Sequence, residues 1–505
     1  MPSENYIQLI DDARVYEVAD RTPLERAPKL SERLGNNVWL KREDLQPVFS
    51  FKLRGAYNKI ASLSDSAIEN GVICSSAGNH AQGVALGARK RGIAATIVMP
   101  LTTPAIKIHA VEELGGNVIL HGDTYDDAQT YANELAASEN LAFIHPFDDP
   151  LVIAGQGTIG KEILEQIAED IDYIVVPIGG GGLMAGIASY IKAMRPDITM
   201  LGVEPEDSAS MAASLKAGRP VQLETVGIFA DGVAVKRVGD ETFRLCQMHV
   251  DEIITVDTDQ TCAAIQEIFE DTRSIVEPAG ALAVAGINKF VAERQVSDKT
   301  FIALNCGANV NFDRLRHIAE RAAIGEQREA LLAVEIPEKP GSFQAFCCAL
   351  GKRSITEFNY RYNDAKTAHI FVGIELSGGN SEKLSILVDL AAQGFSVEDM
   401  TDNEVAKLHI RHMVGGSGRG LVNERLFRFR FPERPGALLD FLEAIGERWN
   451  ISLFHYRNHG SDYGRILTGI QVAPEDADEF EAHVGKLGYA HWDETDNPAY
   501  RLFLA

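Results

Sequence analysis

Tyr173-Ile174-Val175-Val176-Pro177-Ile178-Gly179-Gly180-Gly181-Gly182-Leu183 begins as a β-branched run and empties into four consecutive glycines. The run predicts a buried strand, and the apolar stretch from Leu183 predicts a helix directly behind the turn. Strand, turn and helix in that order form the unit of a wound parallel sheet. Glycines there let backbone N–H groups crowd an anion at a helix N-terminus, so a phosphate suits the turn better than a purely flexible role does.

Around that turn, short β-branched runs alternate with helix-like stretches from about Trp39 to Asn311. Residues 94–99, 117–120, 200–203 and 301–305 read as further strands. Thr102 is expected to cap a helix that runs to Glu113 and stops at Gly115-Gly116. Two halves joined near residue 150 would leave a cleft between them, where ligand sites tend to lie. After the strand-like Val72-Ile73, Ser75-Ser76-Ala77-Gly78-Asn79-His80 offers hydroxyls, an amide and helix-start N–H groups to a carboxylate. Serine and asparagine also cap helices for structural reasons. In Ser50-Phe51-Lys52-Leu53-Arg54-Gly55-Ala56, apolar neighbours could depress the Lys52 pKa and make it a nucleophile, although a lone lysine more often is simply solvated. Gly155-Gln156-Gly157-Thr158-Ile159-Gly160 fits the dinucleotide pattern G-x-G-x-x-G. The Phe147-Asp148-Asp149-Pro150 before it is a turn and helix start, not a strand, so helix packing is expected instead.

The chain has 505 residues, 45% hydrophobic and 24% charged, which suits a soluble globular protein of two to four domains. A net charge of -24 repels phosphate backbones and argues against nucleic acid as a partner. No apolar run is long enough to span a bilayer, and residues 1–20 carry Glu4, Asp11 and Asp12 with no basic-then-apolar leader. Cys74, Cys246, Cys262, Cys306, Cys347 and Cys348 form no C-x-x-C pair and read as buried thiols. A cytoplasmic protein away from membranes is expected. His409 and His412 are expected on opposite faces of a strand, unable to chelate, and no metal is expected at all.

After about Glu329 the chain repeats itself. Ile336-Pro337-Glu338-Lys339-Pro340-Gly341 answers Phe431-Pro432-Glu433-Arg434-Pro435-Gly436, Phe358-Asn359-Tyr360-Arg361 answers Phe454-His455-Tyr456-Arg457, and Thr401-Asp402-Asn403 answers Thr495-Asp496-Asn497. Three separated anchors keep a spacing of roughly 95 residues. Each copy reads strand, Pro-Gly turn, helix, strand, strand, helix, strand: a small α+β domain built twice. Gly415 to Gly420 is the flexible linker between them.

The lysine, serine-asparagine and tetraglycine motifs, in this order, resemble the fold-type II pyridoxal-phosphate enzymes. The resemblance spans the whole chain and is nearest to the biosynthetic threonine ammonia-lyases. Lys41-Arg42-Glu43-Asp44-Leu45, Phe229-Ala230-Asp231-Gly232-Val233-Ala234-Val235, Glu277-Pro278-Ala279-Gly280-Ala281 and Cys306-Gly307-Ala308-Asn309 complete it. It implies an α/β catalytic domain of the tryptophan synthase β type, with two parallel-sheet subdomains, over residues 1–328. Two α+β, ferredoxin-like ACT-like regulatory domains would follow at 329–414 and 421–505.

For the matched positions the resemblance implies roles. Lys52, beside Phe51, would bind pyridoxal 5′-phosphate covalently and move the Cα proton. Asn79 would hydrogen-bond the ring hydroxyl, and Ser76, Ala77, Gly78, Asn79 and His80 would grip the substrate carboxylate. Gly179, Gly180, Gly181, Gly182 and Leu183 would hold the phosphate. Cys306 would face the pyridine nitrogen, where a thiol sustains a ring proton less well than a carboxylate does; as a residue, it also reads as a small buried hydrophobe. Ala77 stands where similar racemases carry a proton-delivering serine. Glu204 matches a cation ligand of some relatives, but Ser210 stands where a second carboxylate would be needed, so a local structural carboxylate is preferred. The implied reaction is elimination of water and ammonia from threonine, giving 2-oxobutanoate on the way to isoleucine, with serine reacting similarly. Isoleucine would inhibit and valine oppose it, near Gly341, Ser342 and Phe343 in one copy and Gly436, Ala437 and Leu438 in the other. Pro-Gly is a turn signal in any case. The family also implies a homotetramer. Two alternatives remain: a catabolic serine/threonine dehydratase, and an amino-acid sensor whose cofactor site has decayed.

Overall fold

A computed structural model describes residues 4–337, 346, 349–351, 353, 355–361, 367–412, 423–432, 449, 451–457, 463–486 and 488–504. It divides into two compact units, residues 1–318 and 319–505.

The first unit holds ten strands: β1 (Leu24–Arg26), β2 (Asn37–Arg42), β3 (Val72–Ser75), β4 (Ala95–Met99), β5 (Asn117–Leu120), β6 (Ala142–Phe143), β7 (Tyr173–Pro177), β8 (Thr199–Pro205), β9 (Glu252–Val256) and β10 (Thr300–Asn305). The larger sheet runs β1-β2-β10-β7-β8-β9 and the smaller β5-β4-β3-β6. Every pairing is parallel except that of β1 with β2. β3, β7 and β10 are buried along their whole length or nearly so, which is why their sequences run apolar instead of alternating.

Two sequence expectations change. The halves do not meet at one point near residue 150, because β2 pairs residue for residue with β10, Asn37 opposite Thr300 through Arg42 opposite Asn305. The chain thus starts the large sheet, leaves to build the small one, and returns through the helix Pro150–Gln166. Thr102 caps nothing. The helix begins at Ala105 behind Pro104, while Thr102 Oγ1 donates to the Asp123 carbonyl. A residue before proline is kept out of helical geometry, so Thr103 bars an earlier start.

The helix Pro150–Gln166 begins on Asp149, whose Oδ1 accepts from the N–H groups of Leu151 and Val152. Its G-x-G-x-x-G glycines are contact points between helices. A Cβ on Gly155 would stand 2.7 Å from Gly55 Cα, one on Gly157 3.0 Å from the Gly186 carbonyl oxygen, and one on Gly160 3.2 Å from that of Ile187. The helices Lys52–Ser62 and Gly182–Met194, which carry the lysine and follow the tetraglycine, therefore pack on it at backbone distance. Beneath the first lies a fully buried quartet. Arg54 spans Glu43 (2.8 Å) and Glu162 (2.6 Å), and Lys41 pairs with Glu162 at 2.6 Å.

The second unit repeats one plan. Strands β11 (Glu329–Pro337), β12 (Ile355–Arg361), β13 (Thr367–Glu375) and β14 (Ser396–Asp399) form an antiparallel sheet in the order β12-β13-β11-β14. β15 (Glu424–Pro432), β16 (Ile451–Arg457), β17 (Tyr463–Gln471) and β18 (Ala490–Asp493) form β16-β17-β15-β18. Each is the ferredoxin-like arrangement, with the fourth strand beside the first. Thr401 Oγ1 accepts the Leu331 N–H, and Thr495 Oγ1 accepts that of Leu426. Asn403 and Asn497 each cap the short helix that follows.

That cap also explains why His409 and His412 lie on no strand: Asn403 starts the helix Glu404–Leu408, His409 ends it, and His412 closes the helical turn Ile410–His412. The expected effector residues Gly341, Ser342, Phe343, Gly436, Ala437 and Leu438 lie outside the described residues, as do the linker 415–420, Cys347 and Cys348. The other four cysteines are buried and in no disulfide. Among the described residues, no helix is long and apolar enough to cross a membrane, and no cluster of side chains could hold a metal ion.

Candidate active site

The strands β3, β7 and β10 end at Ser75, Pro177 and Asn305, and the serine-asparagine loop, the tetraglycine and the Cys306–Asn309 string follow directly from those ends. Carboxyl ends of parallel strands are where wound α/β folds gather ligand groups, because helix N-termini converge there. Here they border a cleft of about 500 Å3, open mouth included, lined by Phe51, Lys52, Asn79, Gly179–Leu183 and Cys306 together with Phe147, Gly232, Glu277 and Ala279.

Lys52 is the first residue of its helix, and the Phe51 N–H donates to the Cys306 carbonyl, which sets the lysine opposite the end of β10. Burial draws its amine below the ordinary lysine range, while Cys306 and Glu277 pull the other way. No carboxylate forms an ion pair with it among the described residues. A desolvated amine is an effective nucleophile and base.

The tetraglycine is forced by close approach. A Cβ on Gly180 would stand 2.3 Å from the Phe147 ring and one on Gly179 2.9 Å from Val233 Cα, and Gly181 has φ +97. The helix from Gly182 has no side-chain cap. Among the described residues, the N–H groups of Gly179, Gly180, Gly181, Gly182 and Leu183 donate to no protein atom. Five unused donors in a buried helix start demand an acceptor from outside the chain, and a phosphate fits that cradle.

Of the serine-asparagine loop, Asn79 alone lines the cleft. Asn79 Nδ2 donates to Glu277 Oε1 at 2.6 Å, and Asn79 Oδ1 accepts from Asn309 Nδ2 at 2.8 Å. Ser76 Oγ accepts the Gly78 N–H, which shapes the loop. The His80 ring is buried against the Ile144 carbonyl at 2.8 Å, and burial lowers its pKa to about 3. It is therefore neutral, and what it can offer a carboxylate is its backbone N–H. Ala77 carries no proton donor. The Cys306 thiol donates to the Ala279 carbonyl at 3.3 Å, and burial pushes its pKa well up, so it stays a neutral S–H.

Glu277, Asn309, Asp231 and Lys107 join this neighbourhood without having been singled out as site residues. Glu277 is buried, and burial together with the nearby Asp231 carboxylate raises its pKa to about 7. Asp231 is held well below the ordinary range by Lys107 at 2.6 Å and Arg314 at 3.2 Å. The sequence signal was the strings around Asp231, Glu277 and Asn309, polar groups set among glycine and alanine, whereas Lys107 lies in none of them. Nothing local said that these strings meet.

Comparison with known proteins agrees with this geometry. Residues 15–307 match the family of pyridoxal-phosphate dependent enzymes, and residues 320–410 and 415–504 match the C-terminal regulatory domain of threonine dehydratase. A biosynthetic L-threonine dehydratase of Burkholderia multivorans is 55% identical over 508 residues, 100% of both chains. Its counterpart in Escherichia coli is 54% identical over 500 residues, 99% of this chain and 97% of its own. The solved structure of the processed form of threonine deaminase isoform 2 from Solanum lycopersicum shares 48% identity at a TM-score of 0.62, over 63% of this chain and 93% of that one. A lysine and five idle N–H donors in one cleft, a doubled regulatory tail and end-to-end similarity lead to one conclusion: the chain belongs to the pyridoxal-phosphate-dependent biosynthetic threonine dehydratases.

Proposed function

We propose that this chain converts L-threonine to 2-oxobutanoate and ammonia in the Lys52 cleft, with pyridoxal 5′-phosphate as cofactor, and thereby opens isoleucine synthesis. The observation that carries the reading is the row of unused N–H groups at 179–183 in the same cleft as a desolvated lysine amine. When bound, the cofactor withdraws electrons from Cα of the amino acid it holds.

The chain's own residues do the rest. Lys52 would hold the cofactor, and its free amine would take the Cα proton, a task suited to a base whose pKa burial has lowered. Gly179, Gly180, Gly181, Gly182 and Leu183 grip the phosphate with their N–H groups. Ser76, Ala77, Gly78, Asn79 and His80 wrap the substrate carboxylate, and Asn79 donates to the ring oxygen. Cys306, a neutral thiol, would meet the ring nitrogen without adding negative charge, an environment that would favour loss of the β-hydroxyl over transamination. Ala77 has no proton to deliver from the opposite face, so the configuration at Cα is not scrambled. Serine, with the same β-hydroxyl, is a second substrate.

Residues 1–328 form the catalytic domain in this reading, and 329–414 and 421–505 the two ACT-like domains. The latter take isoleucine as inhibitor and valine as its antagonist, near residues 341–343 and 436–438. The working form is a cytoplasmic homotetramer. The test is the rate of 2-oxobutanoate formation from threonine, with and without isoleucine, set beside Lys52→Ala. The expected result is a visible cofactor band and a rate that falls with isoleucine, with the variant colourless and nearly inactive. A rate indifferent to isoleucine would leave a catabolic dehydratase. A colourless wild-type chain would end the enzymatic reading.

A further inference from the structure

We infer that Asn309 is a positioning residue that fixes which end of the Asn79 amide faces the cleft, through hydrogen bonds from its side-chain N–H groups to the Val48 carbonyl and to Asn79 Oδ1. The inference rests on reading the cleft as a pyridoxal-phosphate site, and it goes beyond that reading by naming what orients the residue against the cofactor ring.

The polarity follows from donor and acceptor chemistry. A backbone carbonyl only accepts, so the Asn309 atom 2.8 Å from Val48 O is the amide nitrogen. The same nitrogen lies 2.8 Å from the Asn79 side chain, and with one proton spent on Val48 it gives the other to Asn79. Asn79 must therefore turn its oxygen to Asn309 and its nitrogen the other way. That nitrogen donates to Glu277 Oε1 at 2.6 Å. Glu277, at about 7, titrates near neutrality, yet Oε1 can accept in either state, so the polarity holds across that range. Asn79 keeps one N–H, which is left for the cofactor ring oxygen. Were the amide reversed, a carbonyl oxygen would oppose that ring oxygen instead.

The surrounding backbone is built around this relay. A Cβ on Gly307 would stand 2.3 Å from Glu277 Oε1 and 3.3 Å from Asn79 Nδ2, so only glycine leaves the pair room. The Gly307 carbonyl in turn accepts the Glu277 N–H. A Cβ on Gly280 would press on that same carbonyl oxygen at 2.3 Å. The strings 277–281 and 307–309, to which no catalytic role has yet been given, thus form one bracket around the Asn79 amide.

The readout is the pH at which the absorption band of the Lys52-bound cofactor changes, in the holoenzyme without substrate. An N–H donated to the ring oxygen makes that oxygen less basic, so its loss should move the transition to higher pH. One hydrogen bond corresponds to about one pH unit. Asn309→Leu and Asn79→Ala should each show the upward shift, and the double variant should shift no further than Asn79→Ala alone. Should Asn309→Leu fold poorly, Asn309→Ser is titrated in its place, with the same shift expected. A wild-type band with an unmoved transition in the Asn309 variant overturns the inference alone, as do shifts that add in the double variant. A wild-type chain with no cofactor band overturns the functional reading and this inference together.

Discussion

Glu204, next to last in β8, turns both carboxylate oxygens to the first turn of the helix Ser210–Ala217. Oε1 accepts the Met211 N–H and Oε2 the Ala212 N–H, each at 2.8 Å. Both oxygens are thus engaged by backbone donors. Burial nevertheless raises the Glu204 pKa to about 7 against those hydrogen bonds. A carboxyl whose pKa is higher folded than unfolded stabilises the fold most when protonated. That contribution is complete below the ordinary value of about 4.3 and is lost as pH climbs through 7. Urea unfolding should therefore show stability falling between pH 5 and pH 8. In Glu204→Gln that fall should shrink by as much as roughly 3 kcal/mol, on top of a pH-independent cost of about 1 kcal/mol for the lost acceptor. An equal fall in both proteins would refute the assignment. Lys52 teaches the complementary lesson. Its string of neighbours suggested an amine in apolar surroundings, but the lack of an ion-pair partner among the described residues depends on how distant segments pack around it, which no local string contains.

Among the elements, the helix Pro150–Gln166 bears the most. Its glycines admit the lysine helix and the post-tetraglycine helix at backbone distance, and its Glu162 completes the buried quartet under Lys52. Arg54, two residues beyond Lys52, is fully buried between Glu43 and Glu162. Its guanidinium balances charge that the interior cannot otherwise tolerate. Arg54→Met, similar in length and uncharged, should cost about 3–5 kcal/mol in urea unfolding, because two carboxylates would be left with Lys41 alone. A loss under 1 kcal/mol would mean that the quartet is solvated or dispensable. The G-x-G-x-x-G pattern here was legible as packing because no strand preceded it. Which helices would press on it was not, since Gly55 and Gly186 lie 100 and 31 residues from Gly155.

At the scale of the whole molecule, the two repeats of the second unit share one interior. Leu331, Ala333 and Phe371 from the first pack in a cluster with Leu426, Leu467 and Tyr500 from the second, and Asn403 Nδ2 donates to its counterpart Asn497 at 3.2 Å. The repeats should then lose structure together. Phe371→Ala empties a fully buried site and should cost about 3–5 kcal/mol. Hydrogen exchange should show protection falling in β15 and β17 as well as in β11 and β13. Loss confined to the first repeat would show that the repeats are independent. A shared interior of this kind is a physical route by which a change in one copy reaches the other.

What the sequence determined by itself was everything carried by short spacing. A strand that ends in glycine must turn, a β-branched run between turns must be buried, and a motif set repeated at constant interval must fold twice the same way. Those rules placed β5 and β7 to the residue, found β4, β8 and β10 to within two residues, and read the tail as one small α+β plan built twice. What only the tertiary structure decided was how distant segments share charge and space. It brought β2 beside β10, turned the His80 ring to the Ile144 carbonyl, and set Asn309 and Glu277 on either side of Asn79. The reason is that hydrogen-bond polarity and desolvation depend on every group within a few ångströms. Those groups come from segments up to 263 residues apart, a separation that local propensity does not encode.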